Sequence, residues 1–107
     1  MSRKNQEQDE QGFTTRAIHS GNEWNQTRGL TPPIFQTSTF TLENLEEGVK
    51  MGQTVAPPEF YTRWGNPTTK QFEAVMAELE GAEAALALSS GMGAISTLIL
   101  SLLQAGD

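Results

Sequence analysis

The chain has 107 residues, with 13 acidic against 7 basic side chains, a formal net charge of -6 and no cysteine. No Lys/Arg cluster tracks a phosphate backbone, which argues against duplex nucleic acid as a partner, and the lack of cysteine rules out disulfides and thiolate metal sites. With one histidine, His19, and no H-x-x-x-H spacing, no metal site is expected. Met1 to Gly12, MSRKNQEQDEQG, is polar without an apolar core. It therefore reads as a disordered tail rather than a secretory signal, and a cytoplasmic protein is the expectation. Phe13 to Val55 shows few clear periods. It holds Gly21, Gly29, the Pro32-Pro33 pair and a β-prone run, IFQTSTF, from Ile34 to Phe40. Thr41 to Val49 reads as a short helix on the spacing of Leu42, Leu45 and Val49. Residues 13–66 as a whole are expected to form an extended arm, of the kind that wraps over another domain or subunit.

From Pro67 the pattern changes. Thr68 is placed as N-cap with Gln71 completing a capping box. Phe72, Val75, Met76 and Leu79 follow at helical spacing, with Lys70, Glu73, Glu78 and Glu80 mostly on the solvated face, and Gly81 closes the helix. Ala84 to Leu88 is a continuous apolar run that reads as a strand buried on both faces. SSGMG then breaks it, and Ala94 to Gln104 returns to a helix with Ile95, Leu98, Ile99, Leu102 and Leu103 apolar.

Ala84 to Ala105 carries no charge and is long enough to be weighed as a membrane span. Ser89, Ser90, Gly91 and Gly93 in its middle, and acidic rather than basic flanks, favour a buried strand, a glycine turn and a buried helix. Helix, strand, turn and helix open an α/β unit. One such strand has two unpaired edges, so the fold class expected is α/β with an incomplete sheet. Residues 67–107 would be the truncated start of a larger domain that stops where the next strand is due.

Two short motifs carry chemistry. In SSGMGA, a glycine turn before a helix leaves backbone N–H groups free beside the positive end of the helix dipole, which suits phosphate. Gly91 and Gly93 would let an anion approach closely and Ser90 adds a hydroxyl; the alternative is that the glycines only permit a tight turn. In YTRWGNPTT, Arg63 offers a planar fork for phosphate or carboxylate and Tyr61 a second donor. In an extended segment those two side chains share a face. The alternative is a surface ion pair between Arg63 and an acidic residue, with Trp64 as ordinary core.

Taken together, TRAIHSG (Thr15 to Gly21), PPIFQTSTF (Pro32 to Phe40), YTRWGNPT (Tyr61 to Thr68), LEGAEAALALSSGMGAI (Leu79 to Ile95) and the closing Gly106-Asp107 resemble the Cys/Met-metabolism family. These are the pyridoxal-phosphate enzymes of transsulfuration, among them cystathionine γ-synthase, the homoserine sulfhydrylases and methionine γ-lyase. The resemblance covers nearly everything after the first dozen residues. It implies pyridoxal 5'-phosphate as cofactor, a fold-type I large domain begun at residue 67, and small amino-acid substrates without nucleic acid or membrane partners. It implies that Ser90, Gly91 and Met92 grip the cofactor phosphate through backbone amides. Tyr61 and Arg63 would reach the same phosphate from the neighbouring subunit of a dimer or tetramer. The segment Arg16 to Gly21 would be the arm against that subunit, with His19 structural or interfacial.

The family's Schiff-base lysine, its aspartate for the pyridine nitrogen and its stacking tyrosine all lie beyond the family's Gly-Asp. Thr68-Thr69-Lys70 superficially resembles the S-x-T-K lysine motif but falls in the first turn of a helix. Lys70 is accordingly read as a solvated helix residue, no catalytic residue is assigned, and the chain is expected to be an inactive amino-terminal fragment. The rival expectation is a non-catalytic interaction or regulatory protein derived from the same fold.

Overall fold

The computed structural model describes residues 12–106. The expected disordered tail, Met1 to Gly12, lies outside the described residues apart from Gly12. Four α-helices follow in order: α1 (Phe13–His19), α2 (Leu45–Gln53), α3 (Pro67–Glu80) and α4 (Gly91–Leu102), with a 3-10 turn at Asn22–Trp24. Among the described residues there is no strand, only an isolated antiparallel bridge between Thr39 and Tyr61. No helix among them is long and apolar enough to cross a membrane.

Helix α3 organises the rest. Its N-cap is Asn66, whose side chain accepts from the Thr68 N–H at 2.9 Å, and not Thr68 as the sequence suggested. Pro67 explains the shift. Proline is pre-set for the first helical position and holds the residue before it extended, so the cap must precede it. Asn66 indeed has φ -148° and ψ 138°. Thr68 is left to accept the Phe35 N–H on its hydroxyl at 2.9 Å. At the other end Gly81 adopts φ 65°, Ala82 N–H donates to Ala77 O at 2.8 Å and Gly81 N–H to Glu78 O at 3.3 Å. That pair of bonds is a Schellman closure.

Helix α1 was not expected. It packs on α3 of the same chain, where an Arg16 Nη1 donates to the Glu78 carbonyl at 3.2 Å. The following Ser20 and Gly21 are buried against α3. Helix α2 starts at Leu45, four residues later than the Thr41 expected, because Asn44 caps it by accepting the Glu47 N–H at 2.8 Å. The Glu47 carboxylate reaches back to the Glu43 N–H at 2.6 Å. Helix α4 starts at Gly91 and ends at Leu102, against the Ala94 to Gln104 expected. The glycines thus belong to its first turn rather than to a loop before it.

The α/β expectation needs correction at Ala84 to Leu88. This run forms no ladder among the described residues, and Leu86 is 68% exposed. The physical reason is that a strand is defined by partners on its edges, and none of the described residues supplies one. No large hydrophobic side chain is buried among the described residues; the tightest packing lies around Pro57, Gly65, Asn66 and Pro67. A Cβ at Gly65 would stand 2.5 Å from the Pro57 carbonyl oxygen, so only glycine allows that approach.

Gly21 provides the same service between α1 and α3. It sits at φ 71°, and a Cβ there would meet Val75 Cγ2 at 2.9 Å and the Gln71 carbonyl at 3.1 Å. Gly21→Ala is expected to cost about 2 kcal/mol or more, from a left-handed backbone and a steric clash together. Urea unfolding of the full-length protein measures it, and an unchanged midpoint would contradict this packing.

Candidate functional site

Tyr61 and Arg63 do not lie on an extended segment. Trp64 N–H donates to Tyr61 O at 2.8 Å and Gly65 N–H to the same oxygen at 3.1 Å, so the chain turns sharply here. The two side chains nonetheless share a side, because the turn folds the Arg63 guanidinium over the Tyr61 ring, 5.0 Å from its centroid. Cation–π stacking of this kind holds a guanidinium without consuming its N–H donors. Among the described residues the sole ion pair is Lys70 with Glu73, so Arg63 has no carboxylate partner there. Trp64 is not core either: it stacks on Phe60 at 5.4 Å and remains 47% exposed.

The turn is held from behind. Thr62 N–H donates to Ser38 O at 2.9 Å and its hydroxyl to Thr37 O at 2.7 Å. Phe40 N–H donates to Phe60 O at 3.3 Å. Asn66, 3% exposed, donates from Nδ2 to Phe35 O at 3.0 Å and to the Thr62 hydroxyl at 3.3 Å. The backbone of residues 35–40 is thereby locked to that of 60–62, which fixes where the Tyr61–Arg63 pair projects.

At the second motif Ser90 is the N-cap of α4, with φ -158° and ψ 155°, and its Oγ accepts from the Gly93 N–H at 3.0 Å. Ala94 N–H donates to Ser90 O at 3.0 Å. The N–H groups of Gly91 and Met92 are left without an acceptor among the described residues. A Cβ placed on Gly91 would meet nothing within 4 Å, whereas one on Gly93 would come 3.1 Å from the Ser90 hydroxyl. Gly93 therefore makes room for the cap, and Gly91 borders open space beside two free amides. Donors without acceptors, on a helix N-terminus, match the chemistry of a phosphate group.

The two motifs are not joined by any hydrogen bond, ion pair or ring contact among the described residues. Lys70 is not the solvated residue expected. Its ammonium pairs with Glu73 at 2.9 Å, and the two side chains are only 22% and 9% exposed. Glu73, assigned to the solvated face, is buried and also accepts the Ala87 N–H at 2.9 Å. Helical periodicity could not have found this, because the partner is a backbone amide 14 residues away that leaves no sequence signal. His19 is exposed at the end of α1. No group of His, Asp or Glu among the described residues could hold a metal ion.

Comparison with known proteins identifies the family. The sequence profile of the family described as Cys/Met metabolism PLP-dependent enzyme matches residues 14–107. An L-methionine gamma-lyase of Pseudomonas putida is 48% identical over 97 residues, which are 90% of this chain and 24% of that protein. An O-acetyl-L-homoserine sulfhydrylase of Corynebacterium glutamicum is 36% identical over 104 residues, 96% of this chain and 24% of that protein. The crystal structure of metB from Corynebacterium glutamicum superposes with a TM-score of 0.74 at 35% identity, covering 94% of this chain and 24% of that one. The chain thus spans about a quarter of the length of these relatives.

Asn66→Ala removes the cap of α3 and orphans the Phe35 carbonyl together. It is expected to destabilise the full-length protein by about 2–4 kcal/mol, a lost cap plus a buried unsatisfied acceptor. Thermal unfolding checks it, and a loss no larger than that of an exposed N-cap would show the Phe35 bond to be idle.

Proposed function

The chain belongs to the Cys/Met metabolism family of PLP-dependent enzymes, and from that premise we propose that it supplies the amino-terminal part of a cytoplasmic transsulfuration enzyme. The reaction class is β- or γ-elimination or replacement on a sulfur amino acid or an activated homoserine ester. The observation that carries this reading is the pair of open donor sets, Tyr61 with Arg63 and Gly91 with Met92, each free of a protein acceptor among the described residues. Pyridoxal 5'-phosphate, when bound, supplies an electron sink for breaking bonds beside a substrate amino group.

The residues in hand hold its phosphate. Ser90 fixes the first turn of α4, so that the Gly91 and Met92 N–H groups point outward together with the helix dipole. Arg63 adds a full positive charge and a fork suited to phosphate, and Tyr61 both a ring that orients the guanidinium and a hydroxyl donor. The separation of the two sets within one chain favours an assembly, a homodimer or homotetramer, in which Tyr61 and Arg63 serve the phosphate gripped by another copy. Residues 13–66 then act as an arm toward that copy, and residues 67–107 as the opening of the cofactor domain.

Chemistry on the substrate is assigned to residues outside these 107. Lys70 is engaged with Glu73, and Lys50 lies exposed in the last turn of α2. The isolated chain is accordingly expected to bind anions at most and to turn over no substrate.

Two substitutions in the full-length enzyme test the phosphate reading. Arg63→Ala is expected to weaken pyridoxal phosphate binding by about tenfold or more, the value of one charge-assisted contact, with little change in the melting temperature of the apoprotein. Gly91→Ala is expected to leave stability equal or raised by up to about 1 kcal/mol, since alanine is the better helix residue and meets no protein atom. The same methyl group intrudes on the phosphate, so affinity should fall. Unaltered cofactor affinity in both variants would sink the proposal.

A further inference from the structure

Between residues 83–103 and residues 12–81 a single hydrogen bond crosses, from the Ala87 N–H to the Glu73 carboxylate at 2.9 Å. After the Schellman turn at Gly81 the chain doubles back along α3, and residues 84–87 line a groove with Phe72, Glu73 and Met76. Glu73 lines that groove, 7% exposed, with both oxygens used: one takes the Ala87 N–H and the other the Lys70 ammonium at 2.9 Å. Three residues beyond Ala87 stands Ser90, the cap that sets the direction of the Gly91 and Met92 amides.

We infer that Glu73 is a positioning residue for the phosphate-gripping turn, holding Ser90, Gly91 and Met92 in place through the Ala87 amide; this rests on the phosphate reading of that turn. A buried carboxylate near an anion site looks counterproductive, but Lys70 neutralises it and leaves its acceptor geometry intact. The tether is charge-assisted and short, so it fixes the approach of the chain to α4 more firmly than apolar contact of small alanine side chains can. Both Glu73 oxygens are taken by Lys70 and Ala87, so its role is positioning and not contact with the phosphate. Its effect passes through the backbone of residues 87–90.

The discriminating quantity is the ratio of pyridoxal to pyridoxal phosphate dissociation constants in the full-length enzyme, which isolates the contribution of the phosphate. Glu73→Gln keeps an acceptor oxygen at the same reach, whereas Glu73→Asp keeps the charge but withdraws it by one methylene. The expected result is a ratio within about twofold of wild type for Glu73→Gln and about tenfold smaller for Glu73→Asp, the value of one hydrogen bond made or lost. Hydrogen exchange at the Ala87 amide should stay slow in Glu73→Gln and become fast in Glu73→Asp. Equal ratios in wild type and Glu73→Asp, with only the melting temperature lowered, would overturn the inference, as would Glu73→Gln behaving like Glu73→Asp. Failure of the underlying reading looks different: the ratio would then be the same in wild type and Gly91→Ala.

Discussion

The amino-terminal two-thirds of the described chain depends on one carboxamide. Asn66 accepts from the first turn of α3 on its oxygen, and from its nitrogen donates to the Phe35 carbonyl and the Thr62 hydroxyl. A buried amide that lost these partners would carry an unpaired donor and acceptor, each costing about 1–3 kcal/mol. The start of α3, the register of residues 35–40 and the turn that presents Arg63 are therefore one structural decision rather than three. Pro67 makes the decision rigid, because it denies the helix any earlier start.

From that anchored end α3 acts as a ruler. Its fourteen residues span roughly 21 Å at 1.5 Å per residue. The N-terminal end carries the Tyr61–Arg63 turn through Asn66; the next turn carries Glu73 and with it the segment leading to Ser90. The C-terminal turn receives Arg16, whose guanidinium covers the Glu78 carbonyl where the helix dipole is negative. Both donor sets are thus referenced to the same rigid element, even though they do not meet within the chain. A helix suits this task because its internal bonds keep the spacing of its two ends fixed while loops on either side vary.

What could be read from the sequence divides along a physical line. Local chemistry was legible in Gly81 as terminator and in the free amides beside Gly91, which follow from residue type and short spacing. Tyr61 and Arg63, by contrast, share a side through a turn and a ring contact and not through the extended segment expected. Long-range backbone bonds were not legible. Thr68 looks like a cap until Phe35 claims its hydroxyl, and Glu73 looks solvated until Ala87 claims its carboxylate. Helix α1 escaped because Phe13–His19 carries no buried residue of its own, and its seven residues depend on Arg16 and the Gly21 contact for their place on α3. The apolar run Ala84 to Leu88 was legible as apolar but not as a strand, because strand identity belongs to the partners.

Helix α4 carries the consequence furthest. GMGAISTLILSL contains no charged residue, and Met92, Leu98, Leu100 and Leu102 are 59–81% exposed. A helix this rich in exposed apolar side chains gains little from water and is stable only when covered, and twelve residues are too few for it to persist by propensity. Its first turn nevertheless has to be rigid for two amides to act as an anion receptor, since donors that move lose most of their advantage over water. Only two local features supply that rigidity among the described residues, the Ser90 cap and the Glu73 tether just before it. On the proposed phosphate reading, the affinity of this turn is therefore tied to whatever buries the leucines of α4. Cover for that helix and retention of the cofactor should rise and fall together.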